Sequence, residues 1–156
     1  MRLRSDSQEI HINSISSIVL AGGKGVRMQS ELPKVLHPLC GKPLIGYVVD
    51  GLKSAGIDDI VVVVGYRGDD VISYLGNRVR FVWQHEQLGT GHAVMQAEDL
   101  FRNHDGYVIV ACGDVPLIAS GTFKALMRES EKENTGAVVL TMMQDNPKVY
   151  GRIVKK

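Results

Sequence analysis

Residues 15–36 read ISSIVLAGGKGVRMQSELPKVL, and the rest of the chain is organised around this stretch. Its apolar beginning predicts a buried strand that ends at Ala21. Directly after the strand come three glycines within four positions, Gly22, Gly23 and Gly25. Glycines let the backbone turn sharply and let its N–H groups approach a ligand that a Cβ atom would exclude.

The charge of this stretch favours an anionic ligand. Amides at such a turn form an anion-binding nest, and Lys24, Arg27 and Lys34 add positive charge. The stretch therefore predicts a cradle for several phosphates at the carboxyl end of a strand. The alternative is a tight surface loop that binds nothing.

Two common phosphate-binding motifs do not fit this loop. The Walker loop requires GxxxxGK followed by Ser or Thr, and the chain has no such string. The dinucleotide fingerprint requires a third glycine, whose place is taken by Met28. What remains is G-x-G-x-R, five further residues, and then Pro33-Lys34. That string resembles the signature of the sugar-nucleotide pyrophosphorylases, a family of nucleotidyltransferases.

Length and composition predict one ordinary globular domain over residues 15–156, preceded by a polar extension over residues 1–14. The net charge of the 156-residue chain is only +1, with no aromatic-interleaved basic stripe, so we expect no nucleic-acid partner. The two cysteines form no CxxC motif and the five histidines have no metal-ligand spacing. No apolar run approaches the roughly 18 residues of a membrane span. We therefore expect a cytoplasmic protein with no membrane partner.

Apolar β-branched runs alternate with segments of helical periodicity along the whole chain. Strands are predicted over 15–21, 59–65, 80–83, 107–112 and 136–142. Helices are predicted over 44–55, 68–75, 91–101 and 120–132. This alternation predicts an α/β fold, with a mostly parallel sheet and helices on both faces. In such sheets a ligand binds beyond the carboxyl ends of the strands, where the candidate motifs fall.

Asp114 follows the fourth predicted strand and is a candidate metal ligand. A carboxylate beside phosphates would repel them unless a cation lay between. Mg²⁺ suits this position, because it is typically bound by one or two carboxylates together with phosphate oxygens. The alternative is an aspartate that closes a turn through its own backbone. The neighbouring basic glycine loop favours the metal.

A polar, open-backboned edge between the third strand and the third helix could recognise a base. A primary amide offers both a donor and an acceptor, which matches the mixed edge of uracil. The alternative, a loop that begins a helix capped by Thr90, is compatible with base binding. Spacing alone does not choose uracil over another base. The residues of this edge are Gln84, Gln87, Gly89, Thr90 and Gly91.

The combination of motifs is more specific than any one of them. LAGGKGVRM, ELPKVLHPLCGKPL, QHEQLGTGHA, GDVPL and YGRI occur in this order. The series resembles the uridylyltransferase half of bifunctional N-acetylglucosamine-1-phosphate uridyltransferases, from about Ile15 to Ile153. The resemblance implies a Rossmann-like three-layer αβα domain of the nucleotide-diphospho-sugar transferase type. It also implies an enzyme that joins UTP and N-acetylglucosamine 1-phosphate to give UDP-N-acetylglucosamine, a cell-envelope precursor, and pyrophosphate.

The resemblance also implies roles for individual residues. Arg27 and Lys34 would contact the phosphates and act in catalysis, Asp114 would hold Mg²⁺, and Gly151 would touch the sugar. The remaining matched positions would bind the nucleotide: Ala21, Gly22, Gly23, Lys24, Gly25, Gln84, Gln87, Gly89 and Thr90.

The sequence departs from the family in two places. Val26 stands where the family usually has Thr or Ser, so one hydroxyl is missing from the phosphate loop. In the family the sheet also continues well past YGR, and that part supplies sugar contacts and an Asn as second metal ligand, so the domain is expected to be incomplete at its C-terminus. Three hypotheses follow: a uridylyltransferase, alone or completed by a partner chain or a second copy; a non-catalytic nucleotide-binding module or remnant; and a pyrophosphorylase for another sugar phosphate.

Overall fold

A computed structural model describes residues 14–146, 148 and 150–154. The predicted polar extension, residues 1–14, lies outside the described residues apart from Ser14, which begins the first strand. The described chain contains six strands: β1 (Ser14–Ala21), β2 (Pro38–Leu39), β3 (Lys42–Pro43), β4 (Ile60–Val64), β5 (Arg80–Trp83) and β6 (Gly106–Cys112). The α-helices are α1 (Leu44–Ser54), α2 (Gly68–Leu75), α3 (Thr90–Met95), α4 (Glu98–Phe101) and α5 (Ser120–Ser130).

Four strands form a parallel sheet in the order β5-β4-β1-β6. β1 lies in the interior of this sheet, between β4 and β6, and its Ile18 pairs in register with Val61 on one side and Val110 on the other. The chain moves outward from β1 in both directions, which is the doubly wound arrangement. β2 and β3 form a separate two-stranded antiparallel hairpin.

Helices cover both faces of the sheet, so the predicted three-layer α/β fold is confirmed. Side chains alternate along β4: Val62 and Val64 belong to one buried cluster, while Val61 and Val63 belong to the other. The larger cluster packs the sheet against α1, α2 and α5, and the smaller one against the segment from α3 to α4. Because β4 is buried on both faces, it is apolar at every position.

The predicted fifth strand, residues 136–142, is wrong. This segment has no strand structure, and the side chains of Val139 and Leu140 are 70% and 52% exposed. It lies across a cavity of about 690 Å³ from β6. An apolar run becomes a strand only where a neighbouring backbone pairs with it, and that is a property of the tertiary structure that residue type does not encode.

The predicted helix over 91–101 is divided in two. Ala97, which is fully buried, has φ −95° and ψ 0° and separates α3 from α4. Its N–H donates to the carbonyl of Val94 at 3.0 Å, and the N–H of Leu100 donates to the carbonyl of Ala97 at 3.0 Å. These three-residue turns replace the four-residue hydrogen bonds of an α-helix and tighten the chain where it packs on the sheet.

Candidate functional site

The loops that follow β1, β5 and β6 enclose a cavity of about 290 Å³ at the carboxyl edge of the sheet. β1 and β6 are the neighbouring strands at which the strand order reverses, so the cavity lies at the topological switch point, where open α/β sheets bind their ligands. Its volume is at the lower end of the range of small-molecule sites. The lining residues are Leu20, Ala21, Gly22, Gly23, Gly25, Lys34, Val35, Gln84, Gln87, Gly89, Thr90, Ala93, Cys112 and Asp114.

The glycine loop presents free backbone amides. The N–H groups of residues 22–25 form no hydrogen bond with any other residue that the structure describes. Gly25 has φ +64°, and a Cβ atom there would lie 2.7 Å from the Cβ of Lys34, so both its conformation and its surroundings require glycine. Unpaired amides at a positive-φ turn are the physical basis of an anion nest.

Lys34 and Asp114 both line the cavity and form an ion pair with each other. Lys34 begins a 3₁₀ turn that is anchored by the buried side chains of Val35 and Leu36. Asp114 follows Gly113, whose N–H extends the sheet by donating to the carbonyl of Leu20 at 2.9 Å. The two side chains are 38% and 28% exposed. A pair this accessible contributes only about 0–1 kcal/mol to stability. The fold therefore depends little on it, and both charges are available to a ligand.

Gln84 is the buried polar residue of the cavity, with 4% of its surface exposed. Its N–H extends the sheet by donating to the carbonyl of Val64 at 2.7 Å. Its side-chain Nε2 donates to the carbonyl of Gly89 at 3.2 Å and lies 3.1 Å from Nδ1 of His92. Gln87 donates in turn to the carbonyl of Gln84 at 3.3 Å. Several hydrogen bonds therefore fix the predicted base-binding edge before any ligand arrives.

Gly65 positions the site, although sequence reasoning did not single it out. A Cβ atom on Gly65 would lie 2.6 Å from the carbonyl oxygen of Gly22 and 3.1 Å from that of Gln84. The N–H of Tyr66 donates to the same Gly22 carbonyl at 3.1 Å. Gly65 thus lets the chain that leaves β4 pass close to the residues that follow β1 and β5. The available signal was a glycine directly after one isoleucine and four valines, at the carboxyl end of a predicted strand.

Cys112, one of the two cysteines that form no CxxC motif, also lines the cavity. Burial raises the pKa of its thiol, and the negative charge of Asp114 raises it further, while Lys34 acts in the opposite direction. The thiol is therefore protonated at neutral pH and behaves as an apolar wall.

Four predicted site residues do not line this cavity: Lys24, Arg27, Gly91 and Gly151. The ammonium of Lys24 lies over the ring of Tyr66, 5.1 Å from its centroid. Arg27 is exposed on the 3₁₀ turn Val26–Met28, and Gly151 is exposed near the end of the chain. The structure brings together the other predicted residues, namely Ala21, Gly22, Gly23, Gly25, Lys34, Gln84, Gln87, Gly89, Thr90 and Asp114.

The donor set around the cavity offers one carboxylate to a metal ion. Within the described ranges, no group of three or more His, Cys, Asp or Glu side chains could hold a metal by itself. Mg²⁺ does not require such a cage, since it is commonly bound by one or two carboxylates plus substrate phosphates and water. Asp114 on the cavity wall fits that mode, in which the substrate supplies the other ligands.

Comparison with known proteins identifies the family. The model of the MobA-like NTP transferase domain matches residues 17–153, and the chain belongs to this family. The chain is 45% identical over 139 residues to the bifunctional protein GlmU of Oceanobacillus iheyensis, and it is 48% identical over 139 residues to that of Halalkalibacterium halodurans. Each alignment covers 89% of this chain but only 30% of the relative. The chain thus spans about a third of the length of these relatives.

A solved structure supports the same class. A nucleotidyl transferase from Methanothermobacter thermautotrophicus superposes with a TM-score of 0.65 at 29% identity, covering 74% of this chain and 57% of that one. The Rossmann-like nucleotidyltransferase fold is therefore shown, and nucleotidyl transfer is the activity of the class. Among the described residues, no helix has both the length and the apolar character needed to cross a membrane.

Proposed function

We propose that this chain carries the nucleotide-binding site of a uridylyltransferase. The enzyme would join UTP and N-acetylglucosamine 1-phosphate to give UDP-N-acetylglucosamine and pyrophosphate. The observation that carries the proposal is the single cavity at the switch point, which combines unpaired glycine-loop amides, the amide side chain of Gln84 and the Lys34–Asp114 pair. The similarity to GlmU proteins over 89% of the chain supports the choice of substrates.

The cavity would divide the nucleotide between its two sides. The amides of residues 22–25 and the ammonium of Lys34 would bind the phosphates, and Gln84, Gln87, Gly89 and Thr90 would lie along the base. Asp114 would hold Mg²⁺, which when bound neutralises phosphate charge. No residue of the cavity is arranged as an activated nucleophile, and this reaction does not require one.

The chemistry is a direct displacement. A phosphate oxygen of the sugar phosphate attacks the α-phosphorus of UTP, a new P–O bond forms, and the bond to the β-phosphate breaks to release pyrophosphate. Catalysis of such a transfer is mostly positioning and charge stabilisation. Lys34 would stabilise the charge that develops at the α-phosphate, because it lies beside the glycine-loop amides. Arg27 would reach the leaving pyrophosphate from the exposed turn where it lies.

A second candidate function is UTP binding without turnover. The observation that favours it is that the described residues assemble the nucleotide side of the site, whereas Gly151, the one residue predicted for the sugar, is exposed and outside the cavity. A completing chain would then have to supply the sugar side.

Two measurements on the purified chain separate these functions: calorimetric titration with UTP and Mg²⁺, and pyrophosphate release after adding N-acetylglucosamine 1-phosphate. Binding with release supports the uridylyltransferase, and binding without release supports the second candidate. Absence of binding would refute both.

Lys34→Ala and Asp114→Ala provide the first prediction. Each variant should lower UTP affinity or turnover at least tenfold, because each removes a charge from the cavity, while the unfolding free energy changes by no more than about 1 kcal/mol. Lys124→Ala, which removes an exposed charge from α5 outside the cavity lining, is the control and should leave both properties unchanged. Normal binding and turnover in the two cavity variants would contradict the assigned roles.

A further inference from the structure

The orientation of the Gln84 amide is determined by its neighbours. The carbonyl oxygen of Gly89 can only accept a hydrogen bond, so the amide atom 3.2 Å from it must be the NH₂ group. The same nitrogen lies 3.1 Å from Nδ1 of His92, which uses its second hydrogen. The remaining amide atom, Oε1, faces the glycine loop, where a Cβ atom on Gly22 would lie 2.6 Å from it. Gln84 therefore presents an acceptor to the cavity side.

His92 can hold this amide only in one tautomer. Its Nε2 also faces an amide nitrogen, that of Gln96 at 3.2 Å, but a neutral imidazole has a single acceptor nitrogen. Gln84 is buried, so a lost partner would leave its amide unsatisfied, whereas Gln96 is only partly buried and also donates to the carbonyl of His92 at 3.1 Å. The acceptor is therefore Nδ1, and Nε2 carries the proton.

The first turn of α3 supplies both acceptors for Gln84. The carbonyl of Gly89, at φ +107°, also accepts the N–H of Ala93 at 3.1 Å, so its lone pairs are shared between the helix and Gln84. If the Gln84 amide were turned over, Oε1 would face both the Gly89 carbonyl and the lone pair of Nδ1. Removing the imidazole would eliminate one of these two repulsive contacts and leave only the one with the Gly89 carbonyl.

We propose that His92 is a positioning residue that makes the site selective for a base with a ring N–H. The inference rests on the proposed function and deepens it. With the amide held in this orientation, Oε1 accepts a hydrogen bond from N3–H of uracil. Cytosine has an unprotonated acceptor nitrogen at the same position, so it would place one lone pair against another. Once the hold of His92 is lost, Gln84 can turn over and present its NH₂ group to N3 of cytosine, or keep Oε1 towards N3–H of uracil, so the preference between the bases falls.

The test compares UTP and CTP affinity, measured calorimetrically with Mg²⁺, for the wild type and three His92 variants. His92→Asn keeps an acceptor near the position of Nδ1, whereas His92→Gln and His92→Ala do not. A hydrogen bond that the site makes to one base but not to the other changes the ratio of the UTP and CTP affinities about tenfold. We expect the wild type to prefer UTP, His92→Asn to keep the preference within about threefold, and His92→Gln and His92→Ala to lose about tenfold of it.

A double variant separates positioning from simple structural damage. In a Gln84→Ala background, His92→Ala should leave the UTP-to-CTP ratio unchanged, because the group that His92 positions is gone. Thermal unfolding of each variant checks the fold.

The possible failures can be told apart. If the wild type binds neither nucleotide, the proposed function fails and this inference fails with it. If the wild type prefers UTP and all three variants keep the preference, the inference is overturned while the proposed function stands. Equal loss of UTP and CTP affinity in His92→Ala would also overturn it, because that result indicates a structural role only.

Discussion

Gly22 and Gly23 are adjacent in the glycine loop, but a methyl group would meet different surroundings at each. A Cβ atom on Gly22 would lie 2.6 Å from Oε1 of the buried Gln84, whereas no atom lies within 4 Å of the corresponding position on Gly23. The first glycine is therefore needed by the protein itself. The second leaves space that a ligand can fill.

Alanine substitutions at Gly22 and Gly23 should therefore have different effects. Gly22→Ala should destabilise the free protein by about 1–3 kcal/mol, because the buried amide must move to accommodate the methyl group. Gly23→Ala should change stability by less than about 0.5 kcal/mol yet weaken UTP binding, since its methyl group would project into the cavity. Urea unfolding and UTP titration measure the two effects separately. Equal stability of the two variants would contradict the described packing of Gln84.

Sequence patterns located most of the cavity but not how its residues are held. The strand followed by glycines, the polar edge from Gln84 and the carboxylate at Asp114 could all be predicted, because each follows an apolar run and the ends of parallel strands meet. The stacking of Lys24 on Tyr66 could not, since it depends on the contact between two loops. The same holds for the hydrogen bond between His92 and Gln84, which joins α3 to the end of β5.

At the scale of elements, the carboxyl ends of the strands are held close by Gly65. Gly65→Ala should push β4 away from the Gly22 carbonyl, which would lie 2.6 Å from the new methyl group. Backbone atoms cannot swing aside as a side chain does, so we expect a loss of about 1–3 kcal/mol in unfolding free energy together with weaker UTP binding. Gly121→Ala on α5, where no atom lies within 4 Å, is the matched control: it should leave UTP binding unchanged and should not lower the unfolding free energy, because alanine favours a helix more than glycine does. If both alanines behave alike in urea unfolding, close approach is not the reason for Gly65.

The opposite ends of the strands are held by Asp59, which comes directly before β4. Its carboxylate accepts hydrogen bonds from Ser16 of β1 at 2.6 Å and from Arg80 of β5 at 2.6 Å. Burial alone would raise the pKa of Asp59, but the hydrogen bonds of Ser16 and Arg80 and the positive charge of Arg80 outweigh it and lower the pKa. The carboxylate thus connects three strands in its ionised form.

The lowered pKa fixes the sign of a pH prediction. A depressed pKa in the folded state contributes stability above the unfolded pKa of about 3.9, and this stability is lost as pH falls through the folded value. Asp59→Asn should therefore destabilise the protein at pH 7 and reduce the decline in stability as acid is added. Urea unfolding at several pH values between 7 and 3 measures this. An unchanged acid profile in Asp59→Asn would contradict this contribution of Asp59 to stability.

The elements themselves were predictable to different degrees for a physical reason. β4 and α2 were located well, because a continuous β-branched run and a clear helical period each have one structural interpretation. Residues 136–142 carry an equally apolar run, but without a paired backbone they form no strand. Pairing partners are set by the arrangement of the whole sheet, which local residue type does not determine.

At the scale of the whole molecule, β6 is an edge of the sheet as far as the structure describes the chain. Val110 on this strand is 49% exposed, and the adjoining cavity of about 690 Å³ is lined mostly by apolar residues. This cavity is larger than the one at the switch point, but it lacks converging charged groups, so its size carries no catalytic meaning. An exposed apolar edge strand is instead a surface on which another chain can pair.

We therefore expect the purified chain to associate with itself along β6 as its concentration rises. Val110→Lys should reduce this association, because a charge on an edge strand opposes pairing. Leu117→Lys is the control: it places the same charge at an 85% exposed apolar position in the loop after β6, outside the strand. Sedimentation velocity over a range of concentrations gives the average mass of each variant. A lower mass for Val110→Lys alone would locate the contact on the edge of the sheet, whereas equal masses for the two variants would exclude β6 as the route of association.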